Sequence, residues 1–163
     1  MEKIYDVAYL SPIGRLILRG DSSGLISLDF AGKDNQGSGP NVPLEDVPQV
    51  LRDALAQLEE YFRGRRTSFT VSLSLRGTAF QKKVWQALLN IPYGKTITYK
   101  DLACAVGNTR ATRAVGGANH RNPVSIIVPC HRVVGSDGRL TGYGGGLDKK
   151  AWLLAHERKF ARD

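Results

Sequence analysis

The chain has 163 residues, enough for one domain or two small ones, and its composition is that of an ordinary globular protein. It carries 23 Lys and Arg against 15 Asp and Glu, a net charge of +8. No apolar run approaches the roughly 20 residues of a membrane helix, and the start, "MEKIYDVAYLSPIGRL", lacks the basic-then-apolar order of a secretory signal. A cytoplasmic protein is expected, nuclear in a nucleated cell. Two cysteines, Cys104 and Cys130, give no disulfide framework.

The N-terminal part opens with three short strand patterns, "KIYDVAYL", "RLILRG" and "GLISLDFAG", with turn signals at Ser11–Gly14 and Asp21–Gly24. Residues 31–46 are rich in Gly, Pro and polar residues and read as a loop. Residues 47–62 follow a helical period, with Val50, Leu51, Ala54, Leu55, Leu58, Tyr61 and Phe62 on one face. "GRRTSF" reads as a connector. Nothing in this part has the look of a site.

From Thr78 an amphipathic helix is expected with Phe80, Val84, Trp85, Leu88 and Leu89 inward, ended by Pro92 and Gly94. Thr98 and Asp101 have the spacing of a capping box ahead of "LACAV", which places Cys104 in a buried position. Gly107 and Asn108 make a turn, and a second helix is expected from Thr109 to about Asn119. Two short helices around a Gly-containing turn are the outline of a helix-turn-helix. The second helix brings Arg110 and Arg113 beside Ala111, Ala114, Gly116, Gly117 and Ala118, small residues that permit close approach to a surface. "VSIIV", residues 124–128, reads as a buried strand or extended segment. After it come "PCHRVV", "GYGGG" and a last helix, "KKAWLLAHERKF".

Charge divides along the same line. Residues 1–76 hold 9 basic and 10 acidic side chains, whereas residues 77–163 hold 14 and 5. Basic charge concentrated in one half suits a polyanion partner or a solvated face.

Cys130 admits several fates. Zinc needs about four Cys or His ligands, usually in close pairs, and the chain has no CxxC or HxxxH. A buried cysteine is the commonest fate, but Pro129, His131 and Arg132 are odd company for a core filler. A thiol nucleophile is activated by a histidine held by a carboxylate; His131 with Glu157 or Asp148 supplies the parts, as it would for a thiol hydrolase.

The run "FQKKVWQALLNIPYGKTITYKDLA", then "RAVGGANHRNPVSIIVPCHRVV", "GYGGG" and "WLLAHE", closely resembles the O6-alkylguanine-DNA alkyltransferases, also called methylated-DNA–protein-cysteine methyltransferases. The resemblance is dense over about residues 77–158; the first 75 residues match only in style. It implies an α+β fold: a small N-terminal α/β domain with a short antiparallel sheet, residues 1–76, and a mostly helical domain with a helix-turn-helix, residues 77–163. It implies DNA repair by a single, stoichiometric transfer of an alkyl group from O6-alkylguanine, and from O4-alkylthymine, to a cysteine of the protein.

Residue by residue, the resemblance makes Cys130 the alkyl acceptor, His131 its proton acceptor through a water, and Glu157 the group that holds His131. Asn122 braces the turn before the active segment. Tyr99 hydrogen-bonds purine N3 and helps rotate the nucleotide out, and Arg113 fills the gap in the stack. Arg110, Ala114 and Gly117 face DNA in the minor groove. Tyr143 lies against the flipped guanine, with backbone of Cys130, Val133 and Gly144 reading its edge. Ser125 and Gly144 stand where some relatives carry proline and serine. The implied partner is double-stranded DNA containing O6-alkylguanine, bound by a monomer with cooperativity along DNA left open, and with no cofactor, metal or membrane. Three other readings compete: a non-catalytic lesion sensor of the same fold, a major-groove regulator, and a thiol hydrolase.

Overall fold

A computed structural model describes residues 3–32 and 43–161, in two compact units, residues 1–76 and 77–163. Part of the expected 31–46 loop, residues 33–42, lies outside the described residues.

In the first unit, β1 (Tyr5–Ser11), β2 (Gly14–Asp21) and β3 (Gly24–Phe30) form an antiparallel sheet in chain order. The register aligns Val7 with Leu18 and Leu18 with Leu28. These side chains are buried in a row across one face, as period-2 strands require. Helix α1 (Gln49–Phe62) covers the sheet with Leu51, Ala54, Leu58 and Tyr61, all buried. Gln57 shares that buried face; its amide donates to Thr70 Oγ1 at 2.8 Å and accepts from Thr70 N at 2.9 Å. The expected connector is therefore fastened down. After it the chain returns beside β3, with Leu25 N donating to Ser72 O and Ser74 N to Leu25 O at 2.8 and 2.9 Å.

The second unit is mostly helical. Helix α2 (Ala79–Leu88) opens with a full capping box between Thr78 and Gln81 and buries Val84, Trp85 and Leu88. Phe80 and Leu89, expected inward, are 37% and 38% exposed, because they fall at the edges of a face that Trp85 already fills. Trp85 Nε1 donates to Ala118 O at 2.9 Å, so one buried bond ties α2 to the helix that follows the turn.

Strand β4 (Ile97–Thr98) leads directly into α3 (Tyr99–Ala105), whose start carries the expected Thr98–Asp101 capping box. Cys104 is exposed, against expectation: Leu102 and Ala103 take the inward positions of this two-turn helix. Gly107, at φ +83°, ends it; Gly107 N bonds Cys104 O and Asn108 N bonds Ala103 O, both at 3.0 Å. Asn108 then accepts from Arg110 N at 3.1 Å, which holds residues 108–111 as a turn. Helix α4 (Thr112–His120) begins later than expected, so Arg110 lies in the turn and only Arg113 is on the helix.

Residues 124–128 are buried as expected, but as a chain of turns instead of a strand. Ile126 has φ +73°, and Ile127 N donates to Ser125 O at 2.8 Å, a γ-turn that is strained for a β-branched residue. A single turn of 3-10 helix, Cys130–Arg132, leads into β5 (Val133–Val134). Strand β5 pairs in parallel with β4, Ile97 opposite Val133 and Thr98 opposite Val134. This short ladder sets the N-terminus of α3 beside the Cys130 segment. Helix α5 (Leu147–Phe160) closes the unit.

Candidate active site

The sequence places Cys130 and His131 next to each other; the fold supplies what stands behind them. On α5, the residues at helical spacing Lys150, Leu153, Leu154 and Glu157 all point inward and are buried. Glu157 meets His131 at 2.7 Å between Oε2 and Nε2, both side chains with zero exposure. Asp148, the other carboxylate offered by the sequence, is in the first turn of α5, and His131 takes Glu157.

Arg132 is one of two site residues whose role the sequence patterns do not reveal. It donates Nε to Glu157 Oε1 at 2.8 Å and a terminal nitrogen to Oε2 at 3.0 Å, a two-point fork on a buried carboxylate. Its other terminal nitrogen donates to Ile91 O at 2.7 Å, and its guanidinium lies 5.7 Å from the Tyr93 ring centre. The available signal was a charged residue inside an otherwise apolar run. Gly94, at φ +77°, brings its N–H to 3.4 Å from Glu157 Oε1; a side chain there would press on Ala161.

The electrostatics follow. Burial works to raise the Glu157 pKa, but His131 and the Arg132 hydrogen bonds outweigh it and hold the carboxyl well below the usual range. His131 sits below its ordinary 6.5: burial disfavours the charged ring, with Arg132 and Lys150 adding to this against the pull of Glu157. We therefore assign an ionised Glu157 and a neutral imidazole. An ionised carboxylate only accepts, so Nε2 carries the hydrogen and Nδ1 presents its lone pair. Nδ1 is buried and has no hydrogen-bond partner among the described residues.

Cys130 is 6% exposed. Its N–H donates to Val128 O at 2.8 Å, and its carbonyl accepts from Asn119 Nδ2 at 3.4 Å. Asn122 spans the strained turn: Nδ2 donates to Val128 O at 2.7 Å and Oδ1 accepts from Val124 N at 3.0 Å. Ser125 is buried within the same segment. Lys150, also missed, is fully buried and donates Nζ to Val133 O and Thr141 O, each at 2.7 Å. Burial pulls its pKa down and the Cys130 sulfur pulls it back up, so the ammonium and the thiol feel each other. Its signal was the helical spacing it shares with Glu157.

Tyr99, first residue of α3, donates its hydroxyl to Thr141 O at 3.2 Å. Gly116 of α4 faces its ring: an added Cβ would lie 3.6 Å from Tyr99 Cδ1. Arg113, Ala114 and Gly117 line the exposed side of α4, and Arg110 is exposed in the preceding turn. Tyr143 is half-buried, and Gly144 beside it faces open space. Among the described residues no group of three or more His, Cys, Asp or Glu could hold a metal ion. No helix among them is long and apolar enough to cross a membrane.

A cysteine beside a neutral histidine backed by an ionised carboxylate is the arrangement of proteins that use a thiol as nucleophile. Known proteins narrow that class. Residues 79–159 match the family model of the 6-O-methylguanine DNA methyltransferase DNA-binding domain, and residues 4–75 that of its ribonuclease-like domain. A methylated-DNA–protein-cysteine methyltransferase of Methanosarcina barkeri is 50% identical over 97% of this chain and 99% of its own. The solved O6-methylguanine methyltransferase of Mycobacterium tuberculosis is 44% identical with a TM-score of 0.84, covering 98% of this chain and 96% of that one. A structure of the M. tuberculosis protein in complex with DNA is 46% identical with the same TM-score of 0.84, covering 96% and 94%. The chain belongs to the methylated-DNA–protein-cysteine methyltransferase family.

Both shifts in the buried pair have the same sign for stability. The unfolded chain binds protons at His131 and Glu157 that the folded chain resists, so acid favours unfolding. Stability is predicted to fall as pH drops through the ordinary histidine value of 6.5, before most carboxylates titrate. Thermal unfolding between about pH 8 and about pH 5 checks this, and a flat midpoint down to about pH 5 contradicts it.

Proposed function

We propose that this protein repairs DNA by transferring an alkyl group from O6 of guanine in duplex DNA to Cys130, once per molecule. The reading extends to O4-alkylthymine, whose alkyl carbon is attached in the same way to an exocyclic oxygen. The observation that carries it is the buried chain Arg132–Glu157–His131, adjacent in sequence to Cys130, with an Nδ1 that has no hydrogen-bond partner among the described residues. The unit that holds it is basic, and an exposed helix face of that unit bears Arg113, Ala114 and Gly117.

In this reading α3, the Gly107 turn and α4 act as a helix-turn-helix in the minor groove. The small residues let the helix approach, and Arg113 enters the stack as a wedge. The alkyl carbon is out of reach inside a duplex, so the nucleotide must rotate out, at a cost of a few kcal/mol. Tyr143 then lies along the guanine, with backbone of Cys130, Val133 and Gly144 at its edge. The Cys130 thiol proton passes to His131 Nδ1 by way of a water, and the imidazolium is stabilised by Glu157. The Sγ–C bond forms as the C–O6 bond breaks. The electron pair stays on guanine, which takes up a proton, and a hydrogen bond from Tyr99 to N3 eases its departure. The Lys150 ammonium favours the developing thiolate. The product is a thioether, which offers water no carbonyl to attack, so turnover stops. A thiol hydrolase differs at this step, because its acyl-enzyme is cleaved.

With excess duplex carrying O6-methylguanine, methyl transfer is expected to plateau at one group per protein molecule. Cys130→Ala should bind the lesion duplex and accept nothing. Continued turnover, or transfer that survives in Cys130→Ala, overturns the reading.

Arg113→Ala is expected to slow repair of duplex DNA about tenfold or more, the effect of losing on the order of 1.4 kcal/mol of support for flipping. Reaction with free O6-benzylguanine needs no flipping and should stay within about twofold of wild type. Equal losses on both substrates contradict the wedge role.

A further inference from the structure

Thr141 stands where the loop after β5 meets α3 and α5, and no role above uses it. Its carbonyl accepts two hydrogen bonds, from Lys150 Nζ at 2.7 Å and from the Tyr99 hydroxyl at 3.2 Å. Its own Oγ1 donates back to the Tyr99 oxygen at 3.2 Å. One residue thus holds both the proton and a lone pair of the Tyr99 hydroxyl. Lys150 completes the bracket through Val133 O at 2.7 Å, which fastens this loop to the strand that follows Cys130.

The two contacts respond differently when Tyr99 turns its hydrogen toward a substrate nitrogen. The carbonyl loses one donor and keeps the other, and the one kept is the charge-assisted bond from a buried ammonium. Release therefore leaves no unpaired acceptor and costs little. The Oγ1 contact uses the phenolic oxygen as acceptor, so it survives the turn. A donor onto that oxygen polarises its O–H bond and strengthens the hydrogen bond its proton makes. That gain is largest as negative charge builds on the departing guanine.

We propose that Thr141 is a positioning residue for alkyl transfer: it parks the Tyr99 hydroxyl in the free protein and, through Oγ1, polarises it toward purine N3 during the reaction. The proposal rests on the reading of Tyr99 as the N3 partner. Thr141→Val keeps the size and the carbonyl and removes the hydroxyl donor; Thr141→Ser keeps the donor.

The test is single-turnover transfer from free O6-benzylguanine at saturating concentration, in wild-type and Tyr99→Phe backgrounds. Thr141→Val is expected to lower the rate constant about threefold to tenfold, the worth of one hydrogen bond, with substrate affinity unchanged. Thr141→Ser should remain within about twofold of wild type. In the Tyr99→Phe background, already slow, Thr141→Val should add nothing, because the oxygen it serves is gone. The same loss in both backgrounds marks a packing effect and overturns the proposal. So does full activity of Thr141→Val alongside a slow Tyr99→Phe, which leaves the Tyr99 reading standing. Full activity of Tyr99→Phe overturns both.

Discussion

The buried carboxylate of Glu157 is the constraint on which the rest of the site depends. With zero exposure it can stay ionised only if its charge is compensated, and the Arg132 fork at 2.8 and 3.0 Å does this. The compensation organises three elements at once. Arg132 reaches from the active turn to Ile91 O just beyond α2, while Glu157 anchors the turn to α5. The anion then dictates which nitrogen of His131 carries hydrogen, and so which one keeps a lone pair. A buried ion group of this kind is a weak source of stability. Its value lies in fixing a protonation pattern that water would otherwise scramble.

Around that centre, local chemistry aims the remaining groups. The capping box at Thr98 starts α3 at Tyr99, and the β4–β5 ladder sets that start beside the Cys130 segment. Two side-chain devices hold the segment itself. Asn122 clamps both ends of the turn that contains the strained Ile126, and Lys150 gathers Val133 and Thr141. The strain at Ile126 persists because its neighbours from Val124 to Val134 are buried and cannot relax outward. A cysteine presented this way has little freedom to drift, which suits the proposed alkyl transfer.

Much of this is legible in the sequence, for identifiable reasons. Strands with period 2, the α1 face and the Thr98–Asp101 cap are local patterns, and the structure follows them. For the partner of His131 the residues alone offer Glu157 or Asp148, and the family resemblance selects Glu157, since residues 26 apart in sequence carry no local sign of contact. Arg132 and Lys150 stayed hidden because basic residues are read as surface, whereas here burial is allowed by a carboxylate and by two carbonyls. Cys104 differs for the opposite reason: its small apolar neighbours point to burial, but the two-turn helix turns it to solvent. The 124–128 segment has the composition of a strand, and local side-chain bonds from Asn122 to Val124 and Val128 hold it in turns instead.

The central claim is that burial keeps His131 neutral and Glu157 holds its one hydrogen on Nε2, so that Nδ1 is the nitrogen we propose takes the Cys130 proton. Nitrogen-15 NMR of the ring of His131 in the unalkylated protein near neutral pH tests it most directly. The account predicts a neutral imidazole, protonated at Nε2 and bare at Nδ1, that persists below the ordinary histidine value of 6.5. A ring protonated on both nitrogens at neutral pH, or one with its single hydrogen on Nδ1, contradicts it.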